Sequence, residues 1–127
     1  MPVKPNDFLD LAIDYASSSD EIQLRNAVSR AYYAGYLHVL EKVNAAGIRL
    51  VGTPSGMHEK LISTFNSNGC AKLNGGMTPP QQYEVAGLLK LTKQLRARAD
   101  YSLTLTITQD DKDTAISNAL ELMKLVP

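Results

Sequence analysis

A single cysteine, no tryptophan, two phenylalanines and no net charge mark what this 127-residue chain does without. One thiol, Cys70, closes no internal disulfide and builds no cysteine zinc cluster, and it suits a reducing compartment. No apolar run approaches the length that spans a bilayer. The start, MPVKPNDF, lacks the apolar stretch of a signal peptide, so the expectation is a cytoplasmic protein with no membrane partner. Thirteen basic and thirteen acidic side chains cancel, which excludes a bulk basic field holding extended DNA. The two histidines, His38 and His58, have no ligand spacing, so neither a metal site nor another cofactor is expected.

What is present reads as helix. Residues 1–127 form one domain, long enough to bury a core without staples. Its organising stretch is Leu24 to Asn44, LRNAVSRAYYAGYLHVLEKVN, free of proline and strong turn signals. At helical spacing, Leu24, Val28, Ala31, Gly35 and Val39 share one arc, and Ile22, Tyr33, Tyr36 and Leu40 a second. Between the arcs run Gln23, Asn26, Arg30 and Glu41, with His38 on the flank. A helix apolar on two sides is one that other helices surround.

The flanking segments follow in order. Pro5, Asn6 and Asp7 open a first helix whose stripe is Phe8, Leu11, Ala12 and Tyr15. Ser17-Ser18-Ser19 ends it, and Ser18 with Glu21 has capping-box spacing for the central helix, which Gly47 closes. Ile48 to Gly56, with Pro54, is a loop. Met57 to Phe65 is a short helix burying Leu61, Ile62 and Phe65, with His58 on its surface. Asn66 to Pro80 reads as a long surface excursion. Gln81 to Tyr101 is helix four, with Leu88, Leu91, Leu95 and Ala99 inward. SLTLTI (102–107) alternates like a short edge strand, and Thr108 with Asp111 caps a last helix lined by Ala115, Ile116, Ala119, Leu120 and Met123.

SRAYYAGYLH, followed later by LRARADY, resembles the paired signature of HEPN domains. The resemblance implies an all-α, up-and-down bundle of four main helices plus a short fifth. It further implies a toxin–antitoxin or defence protein of bacteria or archaea that cleaves RNA as a homodimer without metal. The alternative it leaves is a non-catalytic module that binds a nucleotide or protein and partners a nucleotidyltransferase or antitoxin. HEPN ribonucleases carry a histidine a turn or so after a late arginine; here LRARADYSLTL has none.

The candidate residues follow from chemistry. Cleaving RNA without metal needs a proton acceptor, a proton donor and a cation on the phosphate. Arg30 and Arg96 are the cations, and His38 is either the proton carrier that would replace the missing histidine or a structural hydrogen-bonding residue. An arginine buried as deeply as Arg30 is expected to be requires an acceptor, and Asp100 is the acid to pair with it. That pair either fixes helix register or orients the arginine for phosphate. Lys93 adds charge beside Arg96, and Tyr101 beside Asp100 joins the candidate binding set. Tyr33 and Tyr36 are either a stacking platform for a base or a dimer surface, whereas Tyr32 is expected in the core.

Overall fold

The computed structural model describes residues 3–18, 20–52 and 56–127. Ser19 of the triple serine and Pro54 of the first loop lie outside them. Five α-helices follow one another: α1 (Pro5–Ala16), α2 (Glu21–Ala45), α3 (Met57–Asn66), α4 (Pro79–Tyr101) and α5 (Gln109–Leu125). Helix α2 packs on α1, α4 and α5, and α3 packs on α4, so the central position expected of α2 holds. The short helix is α3. No helix among the described residues is long and apolar enough to cross a membrane.

Local chemistry sets the helix ends. Asp20, not Ser18, caps α2: its carboxylate accepts from the Ile22 amide at 3.1 Å, and Ser18 instead accepts from the Asp20 amide. At the other end Gly47, at φ +70°, turns the chain. Its amide donates to the Asn44 carbonyl and that of Ile48 to Val43, the paired bonds of a Schellman stop. Thr78 with Gln81 and Thr108 with Asp111 form reciprocal capping boxes for α4 and α5.

The core divides along α2. One half gathers Tyr32, Tyr36, Val39 and Val43 with Leu61 and Phe65 of α3 and Val85 and Leu89 of α4. The other gathers Leu24, Val28 and Ala31 with Leu9 and Ala12 of α1, Ala99 of α4, and Ala115 and Ala119 of α5. Gly35 lets α5 approach, since a methyl there would stand 2.8 Å from Leu122 Cδ1.

Several expected faces are rotated. Helix α1 turns Leu9 and Ala12 inward and leaves Leu11 exposed. Helix α4 buries Val85, Ala86, Leu89 and Thr92, and Leu91 is exposed. Helix α5 buries Ala115, Ala119 and Leu122, with Leu120 outside. In each case neighbours on two sides, rather than one apolar stripe, decide which residues are covered. SLTLTI forms turns and bends, with no strand among the described residues, because no second strand offers it a ladder. The segment between α3 and α4 is no surface excursion: Cys70, Leu73 and Met77 are buried in the core. Fully buried Gln82 fastens it, accepting from the Cys70 amide at 2.9 Å and donating to Asn68 Oδ1 at 2.6 Å and the Met77 carbonyl at 3.0 Å.

Candidate functional site

The polar face of α2 is Arg25, Ser29, Tyr32 and Tyr36, successive turns of one helix face that meets α3 and α4. The expected strip of Gln23, Asn26, Arg30 and Glu41 lies beside it. Arg25 is the deeply buried arginine, 7% exposed. Its guanidinium donates to the carbonyls of Ala99 at 2.8 Å, Arg98 at 3.2 Å and Ser102 at 3.3 Å, and also to Leu105. It thereby satisfies the open C-terminal carbonyls of α4 with a cation placed at the negative helix end. Its role is to hold structure.

One turn along, Ser29 donates to Asp100 Oδ2 at 3.4 Å, and Arg96 Nη1 donates to the same oxygen at 3.3 Å. Asp100 therefore pairs with Arg96, four residues back on its own helix, and not with Arg30. Arg30 starts one residue later than Ser29, about 100° round the helix, and makes no hydrogen bond or ion pair among the described residues.

Arg96 sits in an aromatic nest. Its guanidinium carbon lies 5.5 Å from the Tyr32 ring centre, 5.6 Å from Tyr33 and 5.7 Å from Tyr101, an arrangement that stabilises a cation against ring faces. The side chain is 14% exposed, and its Nε is buried with no acceptor. Next to it stands His58, stacked on Tyr36 at 4.0 Å and on Tyr32 at 5.5 Å, with Tyr33 edge-on at 6.3 Å. His58 Nδ1 is hydrogen-bonded to the Tyr32 hydroxyl.

The electrostatics assign the protons. Burial holds Tyr32 well above the usual phenol range, so its O–H is retained and donates to Nδ1. That leaves the single imidazole proton on Nε2, the nitrogen turned away from Tyr32. His58 titrates below its ordinary value because it is partly buried and because Arg96 and Lys93 are close. At neutral pH the site thus presents one guanidinium and one imidazole N–H, both donors. Lys93 is ion-paired to Glu59, whose carboxyl is held low by that bond. A groove of about 360 Å³ continues from this pair between α3 and α4, past Lys90, Gln94 and Asn66.

The expected residues divide cleanly. Arg96, Tyr33, Tyr36, Asp100, Tyr101 and Lys93 belong to or border the cluster; Arg30 and His38 do not. His38 lies two residues past Tyr36, about 200° round α2, and its Nε2 donates to the Val126 carbonyl at 2.6 Å. It ties the end of α5 to α2 rather than serving Arg96. His58, expected on the surface, is the histidine of the site. Its position signalled this: His58, Leu61, Ile62 and Phe65 fall at i, i+3, i+4 and i+7, the inward face of α3. The tyrosine arc is likewise not an open dimer face, since Tyr36 is buried and Phe8 of α1 packs on Tyr33 at 6.3 Å. Among the described residues no group of three or more histidine, cysteine or acidic side chains is placed to hold a metal ion. No protein-family model, curated protein or solved structure matches the chain.

Proposed function

We propose that the Arg96 cluster binds a nucleotide phosphate, in a HEPN-like domain whose ligand is RNA or a nucleotide. The observation that carries this is a guanidinium walled by three tyrosine rings, still partly open to solvent, beside a neutral histidine. A phosphate meets the part of the Arg96 side chain that reaches solvent, 14% of it, and the exposed ring of Tyr101 offers a face on which a base stacks. The paired motifs SRAYYAGYLH and LRARADY support the HEPN-like reading, and with it a toxin–antitoxin or defence setting in which an antitoxin or nucleotidyltransferase is the partner.

Calorimetric titration with AMP tests the site. Arg96→Ala, folded by circular dichroism, is expected to bind roughly tenfold or more weakly, the scale of one charge-assisted contact. Equal binding by the two proteins removes Arg96 from the site, and no binding by either removes the proposal.

RNA cleavage is the second reading, favoured by one observation: His58 and Arg96 flank the same Tyr32 ring. In such a step the 2′-oxygen loses its proton and attacks phosphorus, the bond to the 5′-oxygen breaks, and the protonated minority of His58, an imidazolium, gives that oxygen a proton from Nε2 and is left neutral, while Arg96 neutralises the phosphate. A group to take the 2′-hydroxyl proton is lacking in one copy. Asp100 and Glu59 are engaged with Arg96 and Lys93, and Tyr32 keeps its own proton. Cleavage therefore belongs with a homodimer whose second copy completes the site. The surface for it starts at Tyr101, 73% exposed beside Arg96, and Leu103 beyond the end of α4 is 80% exposed. Incubation with a mixed RNA pool decides this reading: His58→Ala abolishes cleavage if it holds, and uncut RNA with the unaltered protein ends it.

A further inference from the structure

A second cavity lies at the end of the bundle where the start of α1 meets the second half of α2. It has a volume of about 710 Å³, within the range of small-molecule sites. Its walls are chiefly apolar: Phe8 from α1, Leu37 and Leu40 from α2, and Met123 from α5. Those four are only partly covered by the cores they border, so an apolar body entering the cavity would finish their burial. At the rim stand Lys4, Lys42 and Glu41. Neither lysine makes an ion pair among the described residues, and two ammonium groups against one carboxylate leave the mouth positive. His38 also lines this space, with Nε2 spent on the Val126 carbonyl.

From this arrangement we infer that the cavity is a binding site for a small amphipathic carboxylate, its apolar body on Phe8, Leu37, Leu40 and Met123 and its head between Lys4 and Lys42. An anionic head is selected because the rim offers two mobile cationic donors and only one acid, Glu41, to repel it. The apolar body is selected by the walls, and it supplies most of the affinity. The cavity is a separate space from the Arg96 cluster, although its wall residue Phe8 also packs on Tyr33.

The test is calorimetry with straight-chain carboxylates from hexanoate to dodecanoate, below their micelle-forming concentrations, against alkylammonium ions of equal length. Affinity is expected to rise by up to about fourfold per methylene until the cavity is full. The carboxylate is expected to bind roughly tenfold more tightly than its ammonium counterpart, as one charge-assisted contact implies. Lys4→Glu with Lys42→Glu, two substitutions outside the core, should reverse that preference while leaving the chain-length trend intact. Three outcomes overturn the inference: no binding at any length, affinity indifferent to length, or a head-group preference unmoved by the charge reversal. Length dependence together with the reversal establishes the site.

Discussion

Replacing Arg25 with alanine leaves the carbonyls of Ala99 and Leu105 without their donor, whereas those of Arg98 and Ser102 keep the amides of Ser102 and Leu105. Each buried group left unpaired costs about 1–3 kcal/mol, so the variant should lose about 3 kcal/mol or more and melt roughly 10 °C lower. Arg25→Lys should recover little, because a single ammonium cannot fork to carbonyls on both sides. A melting temperature unchanged by Arg25→Ala would show that the α4 terminus is solvated without it. At the same scale, His58 couples stability to pH. Its folded-state value lies below the ordinary 6.5, so as pH falls past 6.5 the unfolded chain takes up a proton that the folded protein refuses. The stabilisation is complete above 6.5 and declines through the window down to the folded value. Melting curves between pH 7.5 and 5 should therefore slope downward more steeply for the native protein than for His58→Gln. Parallel slopes would mean that His58 is as solvated as in a peptide.

At the scale of elements, the contact between α2 and α5 is set by Gly35. Alanine there gains about 1 kcal/mol in helix propensity, but its methyl meets Leu122 Cδ1 at 2.8 Å and the Ala119 backbone at 3.4 Å. Leu122 is 1% exposed and has no room to yield, so overpacking should outweigh propensity, for a net loss of about 1 kcal/mol. A more stable Gly35→Ala protein, measured by urea unfolding, would show that α5 shifts freely. Helix ends were legible from sequence wherever capping chemistry is local: Thr108 and Asp111 do at α5 what their spacing requires. Inward faces were less legible. Leu91 and Leu120 stand at helical spacing with other apolar residues yet are exposed, because each helix touches two or three neighbours and the covered arc depends on where those neighbours lie.

For the whole molecule, zero net charge means that a nucleic-acid ligand is held by a few local cations, not by a field. If the strand's phosphates meet only Arg96 and Lys93, the logarithm of affinity should fall with the logarithm of salt at a slope of roughly −1.4, about −0.7 per neutralised phosphate. A slope several times steeper would place the contact surface elsewhere. Light scattering addresses the proposed homodimer: twice the 13.9 kDa chain mass is expected, returning to 13.9 kDa in Leu103→Asp. A native protein at the single-chain mass would leave the cluster a one-copy site.

The sequence by itself determined the all-helical architecture, the central place of α2 and most helix ends to within a residue or two, because periodicity, caps and glycine stops act within a few residues of one another. It also placed Arg96, Asp100 and the tyrosines among the residues of interest, since their types suit phosphate and base contacts. Only the tertiary structure decided which of them meet. Arg25 rather than Arg30 is the buried arginine, Asp100 turns to Arg96, and His58 rather than His38 stands in the tyrosine nest. The physical reason is direction: Arg25 and Arg30 stand about 140° apart on α2, so which of them is covered depends on the side α4 takes, and His58 reaches the tyrosines only because α3 packs beside them. That packing acts across separations of tens of residues, and no local rule carries that information.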